Sequence, residues 1–106
     1  NNSIQKTPEI IMAKAPEDKC YTNVMLAQSA DLLLTLKGIE CSFAIGYLEE
    51  GKVGISARSL GNINVQLIME ELGGGGHLAN AATQIEGINL DEALDRLNDA
   101  IDKILS

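Results

Sequence analysis

A chain of 106 residues, 45% of them apolar, encodes one small globular domain and is not a disordered segment. Its net charge of −7 argues against gripping long nucleic acid by charge, which needs Lys and Arg to neutralise many phosphates, yet leaves room for a small anion held by local donors. One His and two Cys without C-x-x-C spacing make no zinc site, the absence of Trp and a single Phe leave an aliphatic core, and no apolar run resembles a membrane span or signal peptide.

Residues 1–8 are polar and are expected to be linker, with the domain proper at 9–106. The short apolar stretch Glu9-Ile10-Ile11-Met12-Ala13-Lys14-Ala15 predicts a buried strand, closed by a turn at Pro16-Glu17-Asp18. A helix follows over 22–37, with Thr22 as its cap and Gly38 as its stop. Leu26, Ala30 and Leu33 form one stripe and Met25, Leu32 and Leu36 the adjoining one, so most of this helix is expected to be buried. Asp31 falls inside that arc, either as a functional carboxylate or as a partly exposed or capping Asp.

Residues 40–48 alternate as a strand with Cys41, Phe43, Ile45 and Tyr47 on one face. Glu49-Glu50-Gly51-Lys52 makes a hairpin turn. In the return strand, 53–59, Val53, Ile55 and Ala57 face one way and Gly54, Ser56 and Arg58 the other. Arg58 thus stands on a face of small residues. That is space for a ligand, or the ordinary place of a solvated Arg at a strand end. Asn64 caps a helix over 65–72, striped by Val65, Ile68, Met69 and Leu72, and Gly73 stops it. Residues 81–86 form a short strand of small side chains. Asn89 and Glu92 then make a capping box for a last helix reaching about 105, whose Leu90, Ala93, Leu94, Leu97, Ile101, Ile104 and Leu105 are spaced to pack on a sheet. This order predicts a two-layer α/β domain: a mixed sheet of four to five strands containing one crossover, with helices on one face. The other face is expected to be partly open or covered by a further domain.

The stretch that the rest of the chain serves is Gly73-Gly74-Gly75-Gly76-His77. Glycines take positive φ and approach other groups closely, and amides turned inward in such a run form a concave anion site. A lone imidazole at its end completes a phosphate-binding corner. The same residues also fit a flexible joint followed by a structural His. Because the chain begins with Asn1 and not Met, a fragment of a longer protein is expected, with any membrane anchor or partner domain upstream. Cys20 and Cys41, far apart in sequence, suit a reducing cytosolic setting.

Ser56-Ala57-Arg58-Ser59, then Asn64 opening a helix, then Gly74-Gly75-Gly76-His77 resembles the DHH-associated domain, the C-terminal half of the DHH phosphoesterases. The family signature is Gly-Gly-Gly-His, two variable residues, then Ala-Ala-Gly. Here the tail reads Asn80-Ala81-Ala82, which counts against the general nuclease-type members. The Gly-Gly-Gly-Gly-His-Leu-x-Asn-Ala-Ala form, with Gly61-Asn62-Ile63-Asn64-Val65, looks most like the membrane-bound cyclic-di-AMP phosphodiesterases of bacteria. The likeness spans residues 9–105.

The resemblance implies an upstream DHH domain carrying two manganese ions, and a cytoplasmic enzyme core in a protein of the bacterial cell membrane. It implies that cyclic-di-AMP is opened to pApA, with the present domain holding the substrate. No metal ligand and no catalytic group of its own is expected in this chain, so the isolated domain is expected to be inactive. Amides of Gly74, Gly75 and Gly76 would cradle a phosphate. His77 would donate to a phosphate oxygen, and Arg58 would bind phosphate or stack on a base. Ser56, Ser59 and Asn80 are further candidate contacts. The expected partners are a cyclic dinucleotide or pApA, the upstream domain and a second copy of the chain, with no long nucleic acid. The alternatives are the nucleic-acid-binding half of a DHH exonuclease or oligoribonuclease, and a non-catalytic nucleotide-binding or dimerisation module.

Overall fold

Side-chain size on two adjacent strands decides the architecture. β3 (Cys41–Tyr47) and β4 (Lys52–Ser59) pair antiparallel. Cys41, Phe43, Ile45, Val53, Ile55 and Ala57 point to one face and are fully buried there. Ser42, Ala44, Gly46, Gly54 and Ser56 point to the other, where they leave a shallow trough. Each face receives a different helix.

The computed structural model describes residues 3–106. Its remaining strands are β1 (Ser3–Thr7), β2 (Ile10–Lys14), β5 (Gly75–His77) and β6 (Asn80–Glu86), and its helices are α1 (Asn23–Leu34), α2 (Val65–Glu71) and α3 (Leu90–Leu105). One six-stranded sheet runs β1-β2-β3-β4-β6-β5. β2 and β3 are parallel, joined by α1, and the other pairs are antiparallel. The mixed α/β sheet is as expected, with two strands that the residue pattern concealed. Within the stretch expected to be linker, Ser3–Thr7 forms β1 on the free edge of β2. Its ladder uses backbone groups, so its largely exposed side chains carry no strand periodicity. β5 lies within the glycine run, which has no side chains to alternate. Asn1 and Asn2, the start of the expected linker, lie outside the described residues.

α2 and α3 cover the large-residue face. Val65, Ile68 and Met69 of α2 and Leu90, Ala93, Leu97 and Ile101 of α3 join the strand residues in the main core. α2 is capped by Asn64, and α3 by the Asn89–Glu92 capping box. α1 instead lies on the opposite face, against β3 and β4, so helices flank the sheet on both sides and not on one. Leu26 and Ala30 are its buried residues, packed with Ala44 and Leu48. A Cβ on Gly54 would stand 2.9 Å from a Leu26 methyl, and one on Gly46 would stand 3.0 Å from the other. The missing side chains therefore set how close α1 sits. Ser42 Oγ donates to the Ala30 carbonyl at 2.6 Å and pins the helix at that level. The rest of the expected apolar arc is not buried: Met25, Leu32 and Leu36 are 45%, 71% and 48% exposed. A helix lying on a sheet buries only the stripe beneath it. Thr22 caps α1 as expected, while Thr35 closes it, one turn before Gly38.

Burial raises the Cys41 thiol to about 12, whereas Cys20 is exposed. At about pH 8 a thiol reagent should therefore label one cysteine in the native protein and the second only on unfolding, read as absorbance against time. Leu26→Ala should cost about 2–5 kcal/mol in urea melts, while Leu32→Ala should stay within about 0.5 kcal/mol.

Candidate functional site

The four glycines divide into two structures. Gly73 has φ +82°, its N–H donates to the Glu70 carbonyl at 3.1 Å, and the Gly74 N–H donates to the Met69 carbonyl at 2.8 Å. These paired bonds, running back from the two residues after the Leu72 cap, form a Schellman stop to α2. Gly75 and Gly76 then enter β5, opposite Ala82 and Ala81 of β6. The expected continuous cradle of amides is thus not what the run builds: the Gly74 amide is committed to the helix end. Gly74 and Gly76 are also where two backbones nearly touch. A Cβ on Gly74 would lie 2.2 Å from the Ala82 carbonyl oxygen, and one on Gly76, at φ +146°, would lie 2.5 Å from Ala81 Cα. Gly75 has open space where a side chain would be.

The hairpin turn at Leu78-Ala79 is anchored twice. The first amide of α2, Val65 N–H, donates to the Leu78 carbonyl at 2.9 Å, and Ser59 N–H donates to the Ala79 carbonyl at 3.0 Å. This turn brings His77 directly opposite Asn80, and Asn80 lies opposite Arg58, which lies opposite Ser42. Directly paired antiparallel residues share a face. Ser42, Arg58, Asn80 and His77 therefore form one row across β3, β4, β6 and β5, on the α1 side of the sheet. The row emerges from beneath the helix: Ser42 is fully buried, Arg58 is partly covered, and Asn80 and His77 are exposed. Two strand spacings put the Arg58 and His77 backbones roughly 10 Å apart. The adjoining row, Ala44, Ser56, Ala82 and Gly75, has small side chains and keeps the surface low beside them.

Arg58 is not surrounded by empty space. Its Nε donates to Asp31 Oδ1 of α1 at 2.8 Å, and its Nη1 donates to the Ala57 carbonyl at 2.9 Å and reaches Ser56 Oγ at 3.5 Å. The Arg58 side chain is 15% exposed and that of Asp31 is 61% exposed. Ser56, itself buried, thus backs Arg58 and is not open to a ligand. Ser59 points to the opposite face, where its Oγ accepts from the Gly61 N–H at 3.0 Å, and it stands apart from this surface. Asp31 was the partner that residue order concealed, 27 positions from Arg58. Its one trace in the sequence is a carboxylate within an apolar helical arc. Among the described residues no three His, Cys, Asp or Glu side chains come together to hold a metal ion.

The family model for the DHHA1 domain matches residues 8–105. The chain belongs to the DHHA1 family. This DHHA1 domain is 53% identical over 92 residues to the cyclic-di-AMP phosphodiesterase GdpP of Geobacillus thermodenitrificans, covering 87% of the chain and 14% of that relative. It is also 53% identical over 96 residues to the cyclic-di-AMP phosphodiesterase GdpP of Bacillus subtilis, covering 89% and 15%. It therefore spans only a small part of the length of these curated relatives. In fold it is similar to an exopolyphosphatase-related protein from Bacteroides fragilis, with a TM-score of 0.79 over 94% of this chain and 30% of that one, at 21% identity.

Gly74→Ala and Gly76→Ala should each destabilise the DHHA1 domain by about 1–3 kcal/mol, through backbone collision and, at Gly76, an unfavourable φ. Gly75→Ala should fold with a loss below about 1 kcal/mol. Chemical denaturation of the three variants checks the order.

Proposed function

We propose that this DHHA1 domain holds the substrate in a phosphodiesterase that opens cyclic-di-AMP to pApA. The observation that carries the reading is the row Arg58–Asn80–His77, three donor-bearing side chains on one side of the sheet. The 53% identity with GdpP supports a cyclic dinucleotide as the substrate class. In this reading the metal centre, two manganese ions, belongs to an upstream DHH domain, and the full-length protein sits at the bacterial cell membrane with this domain on the cytoplasmic side.

The chemistry asked of the row is modest. Water adds to phosphorus, the bond to the ribose 3′ oxygen breaks, and that oxygen leaves with a proton as the 3′ hydroxyl. Negative charge accumulates on the non-bridging oxygens. The Arg58 guanidinium supplies charge-assisted N–H donors to them, and a His77 ring N–H supplies another. Asn80, between the two, presents an amide that both donates and accepts, suited to a sugar or base edge. A chain of net charge −7 repels a long polyanion, while a short dinucleotide meets only these local donors.

In the full-length enzyme supplied with manganese, Arg58→Ala and His77→Ala should each lower kcat/KM for cyclic-di-AMP by about tenfold or more, with melting temperature little changed. The double variant should lose less than the product of the two, because both groups hold one anion. Cyclic-di-GMP, pApA and single-stranded DNA serve as comparison substrates. Unchanged kinetics in both single variants, or faster turnover of single-stranded DNA than of cyclic-di-AMP, would refute the assignment.

A further inference from the structure

We infer that Asp31 is a positioning residue for Arg58, setting the direction of its guanidinium before a ligand arrives. The inference rests on the reading of Arg58 as a phosphate donor. Asp31 lies in the third turn of α1, away from the cap made by Thr22, and is followed by Leu32, Leu33 and Leu34. A carboxylate there does nothing for the helix end. Among the described residues the Asp31 side chain takes part in one hydrogen bond, the 2.8 Å bond from Arg58 Nε.

The two ends of the Arg58 head group are thereby tied to two elements. Nε is held by α1, and Nη1 by the Ala57 carbonyl of its own strand, with Ser56 Oγ behind. An Arg side chain held at both places loses its rotamer freedom on folding and not on binding. The helix is itself fixed at this level, because the Ser42 hydroxyl bonds the carbonyl of Ala30, the residue next to Asp31. Ser42 and Arg58 are paired across β3 and β4. One row of the sheet therefore both seats α1 and receives its carboxylate. A negative charge near a phosphate also repels it. Asp31 is 61% exposed, so water and salt screen that repulsion, whereas the N–H···O contact acts at short range and is directional.

The test uses the full-length enzyme with cyclic-di-AMP and compares Asp31→Ala and Asp31→Asn in the native and Arg58→Lys backgrounds. Asp31→Ala should lower kcat/KM by about fivefold to tenfold, mostly through KM, with the melting temperature nearly unchanged. Asp31→Asn keeps an acceptor oxygen and should lose about twofold to threefold. In the Arg58→Lys background, where no Nε–H exists to orient, Asp31→Ala should add no further loss. Equal losses in both backgrounds, or a fall in melting temperature that accounts for the loss, would assign Asp31 a purely structural part and overturn the inference. Impaired Arg58→Ala alongside native kinetics in Asp31→Ala, or tighter binding there, overturns positioning while the reading of Arg58 stands. Native kinetics in Arg58→Ala overturns the reading of Arg58 and the inference with it.

Discussion

α1 rests on a strip of β3 and β4 that carries almost no side chains, and the candidate site depends on that contact. Gly46 and Gly54 leave room for Leu26, and Ala44 for the helix beside it. Larger residues in that strip would lift α1 off the sheet. The Ser42–Ala30 bond and the Asp31–Arg58 bond both need the helix to be close, since a hydrogen bond weakens steeply within an ångström. Packing of apolar groups at one end of the helix thus fixes the orientation of a charged group at the other.

The second support is the β5–β6 hairpin. It is held from outside, by the first amide of α2 and by the backbone of Ser59, at the two carbonyls of its turn. It is held from behind by Thr83, whose hydroxyl donates to the Leu72 carbonyl at the end of α2. Both ends of one short helix are therefore tied to the hairpin that carries His77 and Asn80. The glycines serve this arrangement: Gly73 and Gly74 end the helix, and the missing side chains of Gly74 and Gly76 let the returning strand lie against β6 without collision. The exposed imidazole stands on a braced frame and not on a loose joint.

In the proposed function, a strongly acidic domain with a small group of donors on one sheet face takes a ligand of few charges. The field of the whole domain disfavours polyanions, while a single phosphate responds to its nearest donors. In the proposed function this DHHA1 domain binds the substrate and a further domain performs the chemistry.

Residue order alone determined the elements whose side chains alternate or recur: β2, β3, β4, β6 and the three helices with their Thr22, Asn64 and Asn89 caps. It also marked Arg58, Asn80 and the glycine–histidine motif, because glycine runs and a lone His are chemically distinctive wherever they fall. It took β1 for linker and missed β5, because neither carries an alternating apolar pattern, and it put all helices on one face, since a wide apolar arc does not say which stripe will meet a sheet. Only the tertiary structure separated Ser59 from the site, showed the Gly74 amide already bonded, and joined Asp31 to Arg58. Those outcomes depend on strand register and on how closely a helix approaches a sheet, and both are settled by contacts between residues far apart in the chain.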